Sequence, residues 1–383
     1  MGRIITGGGL APFAEITDKS VNCCITSPPY WGLRDYGTAK WIGGNPDCDH
    51  VADSSKAKEQ GNPEFNVGRP SRQATLTAGY YYAGVCGKCG AVREDSQIGL
   101  ERTPDEYIAK LVAVFREVKR VLRDDGTLWL NLGDSYAGSG KGRNPDGTVH
   151  VSALIAKQGT SAGTVMGNVA SGLVPDGLKA KDLVGIPWRV AFALQSDGWY
   201  LRQDIIWSKP NPMPESVTDR CTKAHEYIFL LTKSPRYYYD SIAIKEPTVY
   251  PNDKRRPLGS KGAWQMDGRE QGENGGGKAY EHDTSLRNRR SVWSIPTRPF
   301  KGAHFATFPE TLIEPMVLAG CPEGGVILDP FFGSGTTGVV AIKNKRDYIG
   351  IELNPSYVAM AEERIRNCEM QIKDSGAMDP VLF

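Results

Sequence analysis

The sequence predicts an α/β fold, in which a mixed, mostly parallel sheet carries helices on both faces. The C-terminal part of the chain indicates this most clearly. There the strand-like run GVILDPF (325–331) leads through a glycine-rich turn into the helix-like run TTGVVAIKNK (336–345) and then into the strand-like run DYIGIEL (347–353). A strand, a helix and a second strand in this order form a right-handed βαβ unit. The 383 residues, 40% of them hydrophobic, are enough for one large domain with insertions or for two domains.

The remaining elements follow from local patterns, taken in chain order. The apolar run VNCCIT (21–26) predicts a short buried strand. An amphipathic helix is predicted over 104–122, because Thr103 is a good N-cap, Pro104 fits the first helical position and Glu106 completes a capping box. Further strands are predicted over residues 127–134, 200–209 and 226–234, and further helices over residues 183–198, 308–321 and 355–370.

Composition excludes some classes of protein and leaves others open. No run of 18 apolar residues is present and the N-terminus lacks the apolar core of a signal peptide, so we expect a cytoplasmic protein with no membrane span. The net charge of +2 neither requires nor excludes a nucleic-acid partner. Residues 251–290 nevertheless hold nine Lys or Arg and six Asp or Glu, and residues 138–180 are rich in Gly, Ser and Ala, which is typical of a flexible loop.

The glycine-rich turn predicts a site for a ligand that contains a nucleoside. Gly333, Gly335 and Gly338 match the pattern G-x-G-x-x-G between a strand and a helix, where backbone N–H groups are free to bind a ligand. Glu352 ends the next strand, where an acid can bind both hydroxyls of a ribose. NAD and S-adenosylmethionine both satisfy this pattern. Asp329 favours the second, because an acid at that strand end would repel a pyrophosphate and suit the ammonium group of a methionine moiety.

A second motif, TSPPY (26–30), ends the predicted strand near the N-terminus. A proline pair cannot donate to a sheet ladder, so the strand stops there and leaves its last residues at the carboxyl edge of the sheet, where ligands of α/β folds bind. The Ser27 hydroxyl and the Pro28 carbonyl are acceptors suited to an exocyclic amino group. The ring of Tyr30 offers a face on which a flat base could stack.

Together TSPPY (26–30), DPFFGSGTTG (329–338) and GIELNPSY (350–357) resemble the amino-methyltransferases of DNA, specifically the circularly permuted β-class, and similar sequences occur among phage and prophage methylases. The resemblance extends over 182–216 and 304–317, and so spans most of the chain. It implies a Rossmann-like, S-adenosylmethionine-dependent methyltransferase fold with a permuted order of motifs. In that order the catalytic motif comes first and the cofactor loop follows about 300 residues later.

The resemblance also implies roles for individual residues. The target base is flipped out of the duplex, Ser27 and the Pro28 carbonyl accept hydrogen bonds from its amino group, Tyr30 stacks on it, and the methyl group transfers directly. The implied catalytic residues are Ser27, Pro28, Pro29 and Tyr30. The implied cofactor-binding residues are Thr26, Asp329, Pro330, Phe331, Gly333, Ser334, Gly335, Thr336 and Glu352, with Phe305, Thr307 and Pro309 closing over the methionine carboxylate.

Two features of the motifs bear on base choice and on cofactor binding. In this class serine at the first motif position is associated with cytosine N4 and aspartate with adenine N6, so Ser27 favours N4-methylcytosine and leaves N6-methyladenine open. The family often has an acid that reads the cofactor adenine, where this sequence has Gly8. We expect backbone groups, or Cys24 and Ile25, to make that contact instead.

The resemblance divides the chain into three parts. Residues 1–246 form the catalytic half, with an insertion at 45–95 and the flexible loop at 138–180. Residues 247–292 form a target-recognition segment that contacts DNA, and residues 293–383 form the cofactor-binding half. Double-stranded DNA is the implied partner, and a homodimer and a partner restriction endonuclease remain open.

Four residues in two close pairs, Cys48 with His50 and Cys86 with Cys89, have the spacing of a metal site. Four protein ligands would close the coordination shell, which is typical of a structural zinc rather than a catalytic one. The alternative is that the thiols are reduced and bind no metal, as expected of cysteines in a protein that is not secreted.

Three other functions remain to be weighed. An NAD-dependent oxidoreductase would explain the glycine turn but not Ser-Pro-Pro-Tyr, Asp329 or the basic segment. A catalytically silent DNA-binding protein is disfavoured because both motifs are intact. A protein or RNA amino-methyltransferase is disfavoured because the family's protein glutamine enzymes carry asparagine at the first motif position, where this chain has Ser27.

Overall fold

The computed structural model describes residues 2–32, 38–50, 85–101, 103–137, 174, 177–248, 285–297 and 308–374. Within them the strands are β1 (Arg3–Thr6), β2 (Val21–Thr26), β3 (Lys40–Ile42), β4 (Val92–Glu94), β5 (Leu122–Leu132), β6 (Tyr200–Ser208), β7 (His225–Thr232), β8 (Glu246–Pro247), β9 (Leu286–Arg287), β10 (Val292–Ser294), β11 (Val326–Asp329) and β12 (Asp347–Glu352). The α-helices are α1 (Pro104–Val121), α2 (Ile186–Ser196), α3 (Glu310–Gly320), α4 (Thr336–Lys343) and α5 (Pro355–Asp374). A 3-10 helix, Ala11–Glu15, follows β1.

Among the described residues, eight strands form one sheet in the order β1-β12-β11-β2-β5-β7-β6-β10. Only β7 runs antiparallel to its neighbours β5 and β6, and the other pairings are parallel. The predicted mixed, mostly parallel sheet is therefore confirmed. Because β7 runs the opposite way, its first residues lie at the same edge as the carboxyl ends of the parallel strands.

Helices cover both faces of this sheet, as the sequence predicts. Along β5 the side chains alternate: Leu128 and Leu130 belong to one hydrophobic cluster and Trp129 to the other. The first cluster includes the buried faces of α1 and α2, and the second those of α3, α4 and α5. Each large apolar side chain buried in this way stabilises the fold by about 1.5–3 kcal/mol.

The local signals place most elements within a few residues. Thr103 caps α1, with its hydroxyl accepting a hydrogen bond from the Glu106 amide at 3.2 Å. The strand predicted from 127 begins earlier, at Leu122, because that residue pairs with Val21 across an irregularity in the β2–β5 ladder. The last helix continues to Asp374, four residues beyond the predicted end.

Parts of three predicted segments lie outside the described residues: 51–84 of the insertion, 138–173 with 175–176 of the loop, and 249–284 of the target-recognition segment. The division of the chain into three parts therefore stays a prediction. Of the helices that the structure describes, not one has the length and apolarity needed to cross a bilayer.

Candidate active site at the carboxyl edge of the sheet

A cavity of about 690 Å³ opens at the carboxyl edge of the parallel strands. The end of β2 contributes the Ser27–Tyr30 turn, and the loop after β11 contributes Pro330–Ser334. The opposite wall comes from the end of β5 and the start of β7, including Asn131 and Glu226. The two sequence motifs, about 300 residues apart in the chain, thus line one cavity of a size common for small-molecule sites.

The Ser27–Tyr30 turn is fixed from behind by α1 and by the chain that precedes that helix. The Tyr107 hydroxyl donates to the Pro29 carbonyl at 2.9 Å. The Trp31 ring is 2% exposed and its Nε1 donates to the Glu101 carbonyl at 3.0 Å. Trp31 is therefore a packing residue that anchors the turn, and the turn presents its rigid face to the cavity.

The Tyr30 hydroxyl lies at the centre of a polar network that the sequence did not reveal. It lies 2.7 Å from Glu226 Oε2, 3.1 Å from Asn131 Oδ1 and 3.4 Å from Ser27 Oγ. Asn131 Nδ2 donates to the Tyr227 carbonyl at 3.1 Å, which fixes the orientation of its amide. A phenol has one proton, and the short distance to the carboxylate makes Glu226 its acceptor. Burial, followed by the charge of Glu226, raises the pKa of Tyr30 well above its usual value.

Two lysines lie near this network. Lys209 forms an ion pair with Glu226 in which both side chains are less than one fifth exposed, and its ammonium group lies 4.2 Å from the centre of the Trp207 ring. Lys223 donates to the Asp134 carbonyl at 3.1 Å, and burial lowers its pKa. Burial, and then the charge of Lys223, lowers the pKa of His225. The cavity wall at the start of β7 therefore places the Glu226 carboxylate near the ammonium groups of Lys209 and Lys223.

Asp329 does not line the cavity. Its carboxylate is 1% exposed and accepts hydrogen bonds from the Thr26 hydroxyl at 2.6 Å, the Thr337 hydroxyl at 2.7 Å and the Phe331 amide at 3.1 Å. Burial raises the pKa of Asp329 to about 6, although these hydrogen bonds act in the opposite direction. The expected contact with an ammonium group is not supported by this placement. Asp329 and Thr26 instead connect β2 to the loop after β11 and to α4.

The loop after β11 is held by Glu352, a contact that the sequence analysis did not predict. Glu352 Oε2 accepts from the Gly333 amide at 2.8 Å and Oε1 accepts from the Asn354 amide at 2.8 Å. Burial raises the pKa of Glu352. Gly335 adopts the left-handed conformation, with φ of 79°, and a Cβ there would lie 2.8 Å from the Cβ of Ala361 in α5. Glycine at that position allows the loop to pack directly against α5.

Arg364 of α5 is a further residue of this loop that the sequence did not indicate. Its Nη1 donates to the Ser334 carbonyl at 2.6 Å and to the Ser334 hydroxyl at 2.8 Å. It also lies 3.2 Å from the Thr336 hydroxyl. An arginine in an amphipathic helix is usually a surface residue, so only the packing of α5 against the loop identifies this contact.

The candidate site residues divide into three groups. Those that line the cavity are Ser27, Pro28, Pro29, Tyr30, Pro330, Phe331, Gly333, Ser334, Thr336 and Glu352. Those that are described but are not among its lining residues are Thr26, Asp329, Gly335 and Pro309, the last of which is the buried N-cap of α3. Phe305 and Thr307 lie outside the described residues.

The expected contact to a cofactor adenine involves a different group of residues. Cys24 and Ile25 are at most 1% exposed and pack in the core, so their side chains do not reach the cavity. Gly7, Gly8 and Gly9 line it instead. A Cβ at Gly8 would lie 2.8 Å from a methyl group of Leu353, which leaves backbone groups to face the cavity there.

The predicted metal ligands also come together. The ligand atoms of Cys48, His50, Cys86 and Cys89 all lie within 4.8 Å of one another. They belong to the segments that carry β3 and β4, a two-stranded sheet separate from the main one. None of the four is among the described residues that line the cavity.

Comparison with known proteins shows the family to which the chain belongs. The chain matches the family of DNA methylases over residues 21–363. It is 40% identical over 364 residues to the Type II methyltransferase M.Cfr9I of Citrobacter freundii, covering 95% of this chain and 87% of the relative. It is likewise 40% identical over 364 residues to the Type II methyltransferase M.SmaI of Serratia marcescens, covering 95% and 90%. The chain therefore belongs to the DNA methylase family, and the predicted class of DNA amino-methyltransferase is confirmed.

Among solved structures, the PvuII DNA methyltransferase (cytosine-N4-specific) is similar with a TM-score of 0.51 and 16% sequence identity. The alignment covers 97% of this chain and 92% of that one. At this identity the likeness supports the α/β fold and says nothing about the substrate.

Proposed function

We propose that this protein transfers a methyl group from S-adenosylmethionine to the N4 nitrogen of a cytosine flipped out of double-stranded DNA. The observation that carries the proposal is the common cavity of the Ser27–Tyr30 turn and the loop held by Glu352. Ser27 is the reason for preferring cytosine N4, and adenine N6 is the second candidate. The proposed order of motifs is that of the permuted β-class, with the catalytic turn preceding the cofactor loop in the chain.

The chain's own groups fit S-adenosylmethionine, which when bound supplies a methyl group activated by the sulfonium charge. The Glu352 carboxylate has lone pairs left to accept from ribose hydroxyls after its two backbone hydrogen bonds. The Gly333–Thr336 loop leads directly into the N-terminus of α4, and Gly7–Gly9 offers backbone groups beside it. Asp329 fixes the loop from behind, through Thr26, Thr337 and the Phe331 amide, and so acts as a positioning residue.

The catalytic turn orients the acceptor amino group. The Pro29 carbonyl already accepts from Tyr107, so the acceptors proposed to face the amino group are Ser27 Oγ and the Pro28 carbonyl. Hydrogen bonds to both would turn the nitrogen lone pair out of conjugation with the ring and towards the methyl group. Holding two reactants in one geometry can lower a barrier by about 7–11 kcal/mol in favourable cases.

The Tyr30 network gives the surplus proton a route away from the nitrogen. The new N–C bond would replace the carbon–sulfur bond of the sulfonium, so the positive charge would move to the nitrogen, which must then lose a proton. Ser27 Oγ takes that proton and passes its own to Tyr30 Oη, which passes its proton to Glu226 Oε2 over 2.7 Å. Glu226 ends neutral and exchanges its proton with solvent, and Lys209 balances its charge beforehand. A positioned chain of this kind typically contributes a factor of about 10²–10⁴ to the rate.

Lys209, Lys223 and His225 line the same cavity. We propose that they face DNA phosphates, with the segment 247–292 reading the target sequence. Like the Type II methyltransferases it resembles, the protein would serve as the modification enzyme of a restriction-modification pair.

The direct test is to incubate the protein with unmethylated double-stranded DNA and methyl-labelled S-adenosylmethionine, digest to nucleosides and identify the label by mass spectrometry. Labelled N4-methylcytosine, lost in Ser27→Ala, is the expected result. Labelled N6-methyladenine would keep the enzyme class and overturn the choice of base. No label in any nucleoside, with the cofactor bound, would overturn the proposed activity.

A further inference from the structure

The segments around β3 and β4 bring four metal-type ligand atoms within 4.8 Å of one another, close enough to share one ion. Cys48 Sγ lies 3.8 Å from Cys86 Sγ, and Cys89 Sγ lies 3.4 Å from His50 Nδ1. Zinc–sulfur bonds of about 2.3 Å on a tetrahedron place two sulfur atoms about 3.8 Å apart, and a sulfur and a nitrogen slightly closer. These four side chains would fill all four positions of a tetrahedral zinc, so none would be left for water or substrate.

The backbone around these ligands is shaped for the site. The Gly90 amide donates to the Cys86 carbonyl at 2.9 Å and the Cys86 amide to the Ala91 carbonyl at 2.7 Å, which forms a tight turn that aims both thiols inward. Gly44 has φ of 69°, and a Cβ there would lie 2.8 Å from Cys89 Sγ. The His50 ring stacks on Trp41 of β3, with centres 5.0 Å apart and planes 19° apart. The histidine is thus held in one orientation by packing.

Pairs of thiols beside a histidine also occur without metal, where they are hydrogen-bonded side chains. Two observations favour a metal. Three thiols and one imidazole converge from two segments that are far apart in sequence. In addition, glycine is found where a side chain would displace a ligand sulfur. Thiolate and imidazole ligands in a closed set of four select zinc among the common divalent metals.

We propose that Cys48, His50, Cys86 and Cys89 bind one structural zinc ion, and that this ion holds residues 95–101 against the catalytic turn. The second part of this inference rests on the proposed function, whereas the metal site does not. The zinc joins the segment at 38–50 to the segment at 85–101, and the latter continues directly from the metal site into the wall of the active-site cavity.

The contacts made by the residues after β4 show how zinc binding would affect the position of the catalytic turn. Asp95 Oδ1 accepts from the Thr38 hydroxyl at 2.9 Å and from the Gln97 amide at 3.0 Å. The Gly99 carbonyl then accepts from the Gly32 amide at 2.8 Å, and a Cβ at Gly99 would lie 3.2 Å from the Tyr30 carbonyl. Ser96, Gln97 and Ile98 line the cavity between these two points.

The first experiment measures metal in the full-length protein. We expect about one zinc per chain by elemental mass spectrometry, and, after exchange for cobalt(II), the visible absorption bands of a tetrahedral thiolate complex. Cys86→Ser and Cys48→Ser should each lose the metal, while Cys221→Ser, which changes an exposed cysteine outside the cluster, should retain it. Wild-type protein that takes up neither zinc nor cobalt under reducing conditions would overturn the site, as would full metal content in both ligand variants.

The second experiment tests the connection to the catalytic turn by amide hydrogen exchange. Removal of zinc with a chelator should speed exchange at residues 95–101 and at Gly32, and lower the methyl-transfer rate, with S-adenosylmethionine affinity unchanged. Faster exchange confined to 38–50 and 85–94 would leave the metal site standing and overturn its effect on the turn. Because metal content is read without any activity assay, failure of the metal site and failure of the proposed methylation are distinguishable.

Discussion

The carboxylate of Glu226 lies 2.7 Å from the hydroxyl of Tyr30, although the two residues are 196 positions apart in the chain. The contact exists because β7 enters the sheet antiparallel and begins at the edge where the parallel strands end. A residue of the catalytic turn is thereby joined to a carboxylate that is nearly buried and paired with Lys209. The active-site base proposed for this enzyme comes from outside both sequence motifs.

Substitution of Glu226 by glutamine tests the proton route. Glutamine keeps the size of the side chain and can still accept from Tyr30, but it cannot take up the proton. We expect kcat for methyl transfer to fall by about 10²-fold, with the dissociation constant of S-adenosylmethionine unchanged. Single-turnover methylation and calorimetric cofactor binding measure the two effects.

The pair of variants Glu226→Gln and Tyr30→Phe provides the control. If the two residues act in one route, the double variant should be no slower than the slower single variant, because the route is already interrupted. Losses that multiply in the double variant would mean that Glu226 and Tyr30 act independently. A wild-type rate for Glu226→Gln alone would exclude the carboxylate as proton acceptor.

Gly133, at the end of β5, is expected to set the position of the Tyr30 ring. A Cβ at Gly133 would lie 2.4 Å from Cε2 of Tyr30, so Gly133→Ala must displace the ring. We expect kcat to fall at least about tenfold, because misplacement of a catalytic group by about 1 Å can cost 10²-fold. Cofactor affinity should be retained, since Gly133 follows β5, which is three strands away from β12 and Glu352 in the sheet. Unchanged turnover in Gly133→Ala would show that catalysis does not depend on the present position of the Tyr30 ring.

Much of the fold could be predicted from the sequence because its signals are local. Thr103 and Pro104 mark the start of α1, and the run from 325 to 352 carries a strand, a turn, a helix and a strand in unbroken order. The edge position of the Ser27–Tyr30 turn follows from its two prolines. These features depend on residues a few positions apart, which a single sequence displays.

The contacts that complete the site depend on packing between distant elements. Glu226 opens a strand whose pattern indicates only burial, and the place of that strand beside β5 is decided by the whole sheet. Asp329 has the position of a ligand-binding acid, but the hydroxyls of Thr26 and Thr337 enclose its carboxylate. Neither threonine could be identified as its partner from sequence spacing.

Substitution of Gly335 by alanine tests the packing of the cofactor loop on α5. Alanine there must adopt φ near 79° and would bring its Cβ to 2.8 Å from Ala361. The left-handed conformation alone costs about 1–2 kcal/mol, and the close contact adds to it, so the protein should be destabilised by about 2–4 kcal/mol and bind S-adenosylmethionine more weakly. Chemical denaturation and calorimetry measure both.

Gly324→Ala is the matched control for Gly335→Ala. Gly324 has a similar φ of 73°, but no heavy atom within the described structure lies within 4 Å of the place of its Cβ. It should therefore show the conformational cost without the contact, and leave cofactor binding unchanged. Equal effects of the two substitutions would mean that α5 moves to accommodate the added methyl group. The loop would then not be fixed by its contact with Ala361.

Asp329 makes the free energy of unfolding depend on pH, and Asp329→Asn should remove this dependence. Burial raises the pKa of this carboxyl from 3.8 to about 6 in the folded protein. Between about pH 4 and pH 6 the folded protein therefore holds a proton that the unfolded chain releases, so stability falls as the pH rises, by at most about 1.4 kcal/mol per pH unit. At pH values above the pKa of Asp329 in the folded protein, its contribution to stability is constant and at its least favourable.

Urea denaturation of wild type and Asp329→Asn from about pH 4.5 to pH 7.5 isolates this effect, because the other titrating groups, including Glu352, are shared by both proteins. The wild-type free energy of unfolding, less that of the variant, should decline as the pH rises to about 6 and then level off. A difference that rises over the same range would show that the hydrogen bonds from Thr26, Thr337 and the Phe331 amide outweigh burial. In that case the carboxylate would be held ionised in the fold, and its negative charge would act on the cofactor loop at every pH at which the enzyme works.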